Sequence, residues 1–230
     1  MKGFSRTRPG VVAVRRPTVA LLVLAVVGVV LAGCGSGTSS SASGSGWVVD
    51  SPSNSSGLRG TELGAPVAKP DLVLTDTTGK PYDLKAATAG RLTLLYFGYT
   101  HCPDVCPTTM ADLGVALHQL PAAVQQRTAV VFVTSDPARD TPAVLKTWLA
   151  NFDTTFVGLT GDLKTIDTAA NAVGVPLEPP VRQSDGTYTV QHGAQVLAFE
   201  PDGKARMVYL AGTPVADYVH DLPLLASGQQ

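Results

Sequence analysis

The sequence predicts an α/β domain with three layers, and two observations carry that prediction. Strand-like runs alternate with amphipathic helix patterns along residues 58–230, without an internal repeat. Such alternation is typical of helices that cover both faces of a sheet. The composition is 44% hydrophobic and only 15% charged over 230 residues, which indicates one globular domain plus an apolar segment outside it. We therefore divide the chain into residues 1–33, 34–57 and 58–230.

The first 33 residues have the pattern of a signal peptide. Residues 1–17 carry five basic side chains and no acidic one, and an apolar run of 13 residues follows at 19–31, interrupted only by Gly28. A helix that spans the hydrocarbon core needs about 20 apolar residues, so a permanent transmembrane span is the weaker interpretation.

The end of this leader indicates an anchor. Leu31-Ala32-Gly33-Cys34 resembles the lipobox of bacterial lipoproteins, in which the cysteine sulfur receives a diacylglycerol. The resemblance implies a lipidated Cys34 and attachment to the extracytoplasmic face of a bacterial cell membrane. A plain secretory signal with an incidental cysteine is the alternative. Residues 34–57 are dominated by Ser and Gly, a composition that gives a flexible tether between anchor and domain.

The charge of the chain argues against one class of partner. Residues 34–230 contain 12 Lys and Arg against 18 Asp and Glu, an excess of six acidic side chains. Because nucleic-acid-binding proteins present basic surfaces, we expect no nucleic-acid partner. If Cys34 is lipidated, the remaining cysteines are Cys102 and Cys106, an even pair in a compartment where thiols can be oxidised.

The elements of the domain follow from hydrophobic spacing and turn signals. Strands are predicted at 71–74, 92–97 and 129–134, and a hairpin at 195–200 and 205–210 around the turn Pro201-Asp202-Gly203-Lys204. One helix is predicted from Thr108 onward by the apolar spacing of Met110, Leu113, Leu117 and Leu120. Further helices are predicted after Thr141-Pro142, at 163–173 and after Thr213-Pro214.

The stretch "YTHCPDVCPTTM" places two cysteines four positions apart and follows each with a proline. Proline is accepted in the first turn of a helix, so Pro103 and Pro107 indicate that the helix starts between them. Four positions along a helix separate Cα atoms by about 6 Å, within reach of a disulfide. A helix N-terminus favours the thiolate, which attacks disulfides and binds metals.

Cys102 and Cys106 are therefore predicted to be a redox-active pair. A purely structural disulfide is the alternative, although a bridge that closes so short a loop restrains the unfolded chain little. As a dithiolate, the pair would supply two soft ligands suited to Cu(I) or zinc. Such a metal site needs a third ligand.

Four histidines are available as that ligand. His101, His118 and His220 are expected on the surface, outside the site. His192 lies in "YTVQHGAQVLAFE", at the entrance of a predicted hairpin strand, from which its side chain could overhang a helix start nearby. Spacing alone leaves its role open.

Four motifs together resemble one protein family. The stretches "YFGYTHCPDVCPTTM", "VTSDPARDTP", "GLTG" and a histidine ahead of "AFEPDGK" resemble the Sco/SenC family of copper proteins, over residues from about 65 to 225. The resemblance implies a thioredoxin-like fold, a three-layer α/β/α domain with a central mixed sheet. It also implies that Cys102, Cys106 and His192 bind copper, as Cu(I) or Cu(II). Family members commonly have Asp before this histidine and Ser or Thr after it, whereas this chain has Gln191 and Gly193.

The function implied by the resemblance is that of a membrane-anchored copper chaperone. It would assist assembly of the binuclear copper centre of cytochrome c oxidase, with subunit two of the oxidase as partner. Extracytoplasmic copper carriers and thiol oxidoreductases are further expected partners. The alternative is a thiol-disulfide reductase that keeps the copper-ligating cysteines of the recipient reduced, which would not require His192. A peroxiredoxin-like peroxidase is disfavoured because Pro103 stands where that chemistry usually has Thr or Ser.

Three further positions admit two interpretations each. Asp136 and Asp140, in "SDPARDTP", fit turns and helix capping, whereas the resemblance suggests that Asp136 helps to position copper or the partner. Met110 could donate a thioether to Cu(I), but its spacing with Leu113 and Leu117 favours core packing. The aromatic residues Tyr96, Phe97 and Trp148 are also predicted to lie in the core.

Overall fold

The structure, a computed structural model, describes residues 57–178, 181–182, 188–189 and 193–228. The predicted signal peptide, Cys34, nearly all of the tether and His192 lie outside the described residues. None of the described helices is both long enough and apolar enough to cross a membrane.

Eight strands form a mixed sheet in the order β1-β10-β9-β4-β5-β6-β2-β3. The central strands β4, β5 and β6 run parallel, and the other described pairings are antiparallel. Two short strands, β7 and β8, pair separately. The strands are β1 (Thr61–Ala68), β2 (Val73–Asp76), β3 (Pro81–Asp83), β4 (Leu92–Gly98), β5 (Thr128–Thr134), β6 (Val157–Thr160), β7 (Val181–Arg182), β8 (Tyr188–Thr189), β9 (Val196–Phe199) and β10 (Lys204–Tyr209).

Helices cover both faces of the sheet. They are α1 (Leu84–Ala87), α2 (Val105–His118), α3 (Ala122–Gln126), α4 (Pro142–Leu149), α5 (Leu163–Ala172) and α6 (Val215–Ser227). Side chains of a strand alternate between its faces. Accordingly Leu94 and Tyr96 of β4 join a core cluster with α2, α4 and α6, while Leu95 and Phe97 join a second cluster with α5. The predicted three-layer architecture with a central mixed sheet is confirmed.

Most of the elements predicted from spacing are present. The strands at 92–97 and 129–134, the hairpin around Pro201–Lys204 and the helices at 108, 142, 163 and 215 all form, with small shifts of their ends. Met110, Leu113 and Leu117 of α2 are buried as predicted, and so is Leu120, which lies just after the helix ends. The apolar face of α4 is confirmed for Leu145 and Leu149, whereas Val144 is 36% exposed.

The edge strand β1 was absent from the prediction. It contains Pro66, which has no amide hydrogen, and its pairing with β10 changes register between Glu62 and Val67. Proline and irregular register are tolerated at the edge of a sheet because one side of the strand needs no partner. An edge strand of this kind has no regular alternation for sequence patterns to detect.

Candidate metal centre

Parallel pairing brings two loops together at one edge of the sheet. Gly98, the last residue of β4, lies opposite Thr134, the last residue of β5. Both the amide and the hydroxyl of Ser135 donate hydrogen bonds to the carbonyl of Gly98, at 2.6 and 3.1 Å. The loop that carries Cys102 therefore starts beside the loop that carries Asp136.

The two cysteines occupy different kinds of backbone. Helix α2 begins at Val105, so Cys106 lies in its first turn, whereas Cys102 precedes the capping residue Asp104. The amide of Cys102 donates to the carbonyl of Tyr99 at 3.2 Å, which closes a tight turn after β4. The prediction of a helix start between the two prolines is confirmed, and Cys102 lies just before the helix.

The two thiols lie together beneath the surface. Cys106 is fully buried and Cys102 is 9% exposed. Within the described chain the two cysteines are not joined by a disulfide. Their side chains are instead hydrogen-bonded to each other. The sequence pair is thus a spatial pair, with Cys102 on the side nearer to solvent.

A tyrosine of β4, Tyr96, and the tyrosine that follows this strand, Tyr99, contact the sulfurs. The hydroxyl of Tyr96 donates to Cys106 Sγ at 3.5 Å. The backbone amide of Tyr99 also donates to Cys106. The side chain of Tyr99 is hydrogen-bonded to that of Cys102. Tyr96 is buried as predicted for a core residue, yet its hydroxyl faces the site, a role that hydrophobic spacing could not show.

The electrostatics of Cys106 differ from the expectation for a helix N-terminus. The hydrogen bond with Cys102 and burial raise the pKa of the Cys106 thiol, and they outweigh the donors from Tyr96 and Tyr99, which lower it. The expected depression of the pKa by the helix dipole is therefore wrong for Cys106. Since metals bind the thiolate, a soft cation that enters this site must displace the protons.

Gly98 leaves the space that the Cys106 sulfur occupies. A Cβ atom at this position would lie 2.9 Å from Cys106 Sγ, 2.6 Å from the Tyr96 ring and 3.1 Å from the Phe132 ring. Real side chains do not tolerate such separations, so only glycine fits without displacing the sulfur. The end of β4 thus shapes the site both by a hydroxyl and by a missing side chain.

Asp140 fixes the loop that leads into Cys102. It is fully buried, and its carboxylate accepts hydrogen bonds from the Thr100 amide at 2.9 Å, the Thr100 hydroxyl at 2.6 Å and the Thr134 hydroxyl at 2.6 Å. The N-cap of α4 is Thr141, which accepts from the Val144 amide. Asp140 therefore acts in loop formation, and the capping role falls to its neighbour.

Asp136 lies behind the tyrosine nearer to solvent. Its buried carboxylate pairs with Arg139, whose guanidinium lies 5.9 Å from the centre of the Tyr99 ring. Its backbone carbonyl also accepts from the amides of Arg139 and Asp140, which forms the predicted turn. Asp136 is thus linked to the thiols by successive contacts, since it pairs with Arg139, Arg139 lies over the Tyr99 ring, and Tyr99 contacts Cys102.

The described histidines contact groups other than the two sulfurs. The side chain of His101 is 53% exposed and lies 3.1 Å from the Thr100 hydroxyl. His118 contacts Asp153 at 3.2 Å, and His220 contacts Asp221 at 2.7 Å. Among the described side chains, no group of three or more His, Cys, Asp and Glu is arranged to hold a metal ion.

His192, the predicted third ligand, lies outside the described residues, but the residue that follows it is described. A Cβ atom on Gly193 would lie 2.5 Å from Gln195 Oε1 and 3.0 Å from Val175 Cγ1. A side chain at this position would therefore require the end of Gln195 and the Val175 side chain to move. Packing against Val175 gives a local reason for glycine here.

A dithiol at the carboxyl edge of parallel strands, where a helix begins, places this protein in the class of thioredoxin-like thiol proteins. The sequence profile of the SCO1/SenC family matches residues 61–226, and the chain belongs to that family. A protein of Stutzerimonas stutzeri is 38% identical over 139 residues, which cover 60% of this chain and 67% of the relative. The match to the mitochondrial protein SCO1 of Saccharomyces cerevisiae covers only 39% of that relative.

Solved structures show the same fold. Apo Sco1 of Thermus thermophilus aligns with a TM-score of 0.65 at 33% identity, over 73% of this chain and 96% of that one. Copper-bound ScoI of Bradyrhizobium japonicum aligns with a TM-score of 0.60 at 32% identity, over 70% and 98% of the two chains. The thioredoxin-like fold and the family implied by the sequence motifs are confirmed.

Proposed function

We propose that this protein is a copper chaperone that holds copper through Cys102, Cys106 and His192 and delivers it to another protein. The observation that carries the proposal is the pair of buried, hydrogen-bonded thiols where β4 meets α2. Thiolates are soft ligands that select Cu(I), and Cys102 lies near enough to solvent for the metal to enter and leave. The copper bound by the relative from Bradyrhizobium japonicum supports the same assignment.

The recipient in this proposal is cytochrome c oxidase, at the binuclear copper centre of subunit two. Extracytoplasmic copper carriers and thiol oxidoreductases are the proposed partners for loading and for redox control. Family membership supports this assignment. It is tested in cells that lack the gene, complemented with wild-type protein or with His192→Ala. If metal delivery is the task, the variant should lower oxidase assembly, and added copper should restore part of it.

The third ligand is tested in vitro by the same substitution. Two thiolates alone can hold Cu(I), whereas Cu(II) accepts nitrogen donors more readily. His192→Ala should therefore weaken Cu(II) binding severely and Cu(I) binding less, while the midpoint potential of the Cys102–Cys106 couple moves little. Wild-type affinity for both copper states in the variant would remove His192 from the ligand set.

Thiol-disulfide reduction is the second candidate function. It would use the same two thiols, with Cys102, the one nearer to solvent, as the attacking sulfur, and it would not require His192. Normal oxidase assembly with His192→Ala, together with loss of assembly with Cys102→Ser, would instead favour the reductase.

The proposed location is the extracytoplasmic face of the cell membrane, with the lipidated Cys34 as anchor and residues 34–57 as tether. The lipobox pattern and the Ser- and Gly-rich segment support it. Cys34→Ala should abolish lipid attachment and leave the fold of residues 58–230 intact. An unmodified Cys34 in the membrane fraction of wild-type cells, detected by mass spectrometry, would reject the anchor.

A further inference from the structure

Each sulfur of the dithiol site has a tyrosine side chain beside it. The Tyr96 hydroxyl, fully buried, donates to Cys106 Sγ at 3.5 Å. The Tyr99 side chain, 6% exposed, is hydrogen-bonded to the side chain of Cys102. Tyr96 belongs to β4, and Tyr99 directly follows Gly98, the last residue of that strand.

Packing fixes the position of both rings. The Tyr96 ring lies 5.9 Å from the Phe132 ring, centre to centre, within the core cluster that also includes α2. The Tyr99 ring lies beneath the Arg139 guanidinium, 5.9 Å away, and Arg139 is in turn held by the buried Asp136. The hydroxyls are thus held toward the sulfurs by the fold, before any metal is bound.

We propose that the hydroxyls of Tyr96 and Tyr99 set the preference of the site for Cu(I) over Cu(II). The inference rests on the proposed function, in which Cys102 and Cys106 bind copper. Cu(I) leaves more negative charge on a thiolate than Cu(II) does, because the oxidised metal draws more electron density from sulfur. A hydrogen bond to that sulfur therefore stabilises the Cu(I) complex more, and hydrogen bonding around a cysteine ligand is a known means of tuning copper sites.

This arrangement suits a protein that must carry the reduced metal and release it. The tyrosines are positioning residues, since they act on the sulfurs and do not need to touch copper. Removing either hydroxyl should leave the two thiolates able to bind the metal. What should change is the balance between the two oxidation states.

The test uses the full chain, purified in detergent, with Tyr96→Phe, Tyr99→Phe and the double variant. Tyr218→Phe is the matched control, because it removes the same atom from a buried tyrosine of α6 whose ring packs against Tyr209, 4.6 Å away. Cu(I) and Cu(II) dissociation constants are measured anaerobically by competition with chelators. The sulfur-to-Cu(II) charge-transfer band provides a readout that a purely structural role would not move.

Each site variant should weaken Cu(I) binding roughly 3- to 10-fold, as expected for one charge-assisted hydrogen bond, and weaken Cu(II) binding less. The charge-transfer band should move to longer wavelength, while Tyr218→Phe should change neither property. Equal losses for both copper states, or an unmoved band, would overturn the proposal. Tyr99→Phe, at the solvent side of the site, decides the matter alone if Tyr96→Phe does not fold.

The same experiment separates this inference from the proposed function. Wild-type protein that binds neither copper state would reject both. Wild-type protein that binds copper through the cysteines, with unchanged affinities in the tyrosine variants, would reject the tyrosine role alone.

Discussion

Two buried tyrosine hydroxyls in the same core cluster donate to different kinds of acceptor, one a thiol sulfur and the other a carboxylate oxygen. Tyr96 donates to the Cys106 sulfur at 3.5 Å, and Tyr209 donates to the Asp221 carboxylate at 3.0 Å. The Asp221 carboxylate also accepts from the amides of Arg59 and Gly60, at 2.8 and 2.9 Å. It thereby holds the start of the described domain against α6.

The two regions differ in whether a metal ion can replace the hydrogen bonds of the buried polar atoms. The buried oxygens of Asp221 are bound by strong donors supplied by the fold, so any change there costs stability. The thiols have weak hydrogen bonds, which a soft metal ion can exchange for stronger bonds to sulfur once the protons leave. Burial of polar atoms therefore serves the fold at Asp221 and chemistry at the cysteines, and substitutions in the two regions should separate stability from copper binding.

The largest effect on stability is expected at Asp221. Asp221→Ala would leave two amides and the Tyr209 hydroxyl without their acceptor, at a cost of about 4 kcal/mol in the free energy of unfolding. Asp217→Ala is the control, since its contact with Arg59 is a partly exposed ion pair and should be worth less than about 1 kcal/mol. Urea unfolding measures both. Loss of copper affinity in folded Asp221→Ala protein would contradict the proposed separation of the two regions.

A third buried polar group, Lys69, makes the free energy of unfolding depend on pH. Its ammonium donates to the Thr88 and Thr93 hydroxyls, both at 2.9 Å, and burial, followed by the charge of Arg91, lowers its pKa from 10.5 to about 8. Between these values the unfolded chain holds more protons than the folded one, so this lysine's contribution to stability rises with pH.

The size of that rise is at most about 3 kcal/mol between pH 8 and 10.5. Lys69→Met should remove it, so the stability of wild type relative to Lys69→Met should increase across this window. Unfolding curves recorded at several pH values measure the difference directly. A constant difference from pH 7 to 10.5 would show that the folded and unfolded chains titrate this lysine alike.

A substitution at Gly98 should lower both stability and copper affinity. Gly98→Ala would place a methyl group against the Cys106 sulfur and the Tyr96 ring, and overpacking of this kind costs about 2 kcal/mol. Because the sulfur must move, Cu(I) affinity should fall as well. Gly79→Ala is a useful control, since its left-handed backbone is strained by a side chain but its Cβ would meet open space. Unchanged copper binding in Gly98→Ala would mean that the sulfur has more room than its contacts indicate.

The sequence predicted the parts of the site that depend on local chain chemistry. Two cysteines with following prolines indicated a helix start, and the apolar runs of β4 and β5 indicated a strand on either side of that helix along the chain. The contacts between β4 and α2 at the site left no comparable signal in the sequence. Tyr96 has the spacing of a core residue, and only the three-dimensional arrangement shows its hydroxyl at the sulfur.

The pKa of Cys106 shows the same limit in energetic terms. A helix N-terminus is visible in sequence, but the degree of burial and the hydrogen bond with Cys102 depend on tertiary packing, and these effects dominate. The roles of Asp140 and Arg139 likewise depend on which loops meet at the sheet edge. Local patterns therefore identified the two cysteines, while packing determined the direction in which the pKa of Cys106 shifts.

The central claim is that Cys102 and Cys106 form one copper site whose contribution to the fold is small. The measurement that tests it most directly is anaerobic Cu(I) titration of wild-type, Cys102→Ser and Cys106→Ser proteins, with urea unfolding of the same samples. We expect one tightly bound Cu(I) in the wild type, loss of tight binding in both variants, and stability changes of about 1 kcal/mol or less. A variant that retains one tightly bound copper would place the site elsewhere, and a loss of several kcal/mol in stability would make the cysteine pair a structural element.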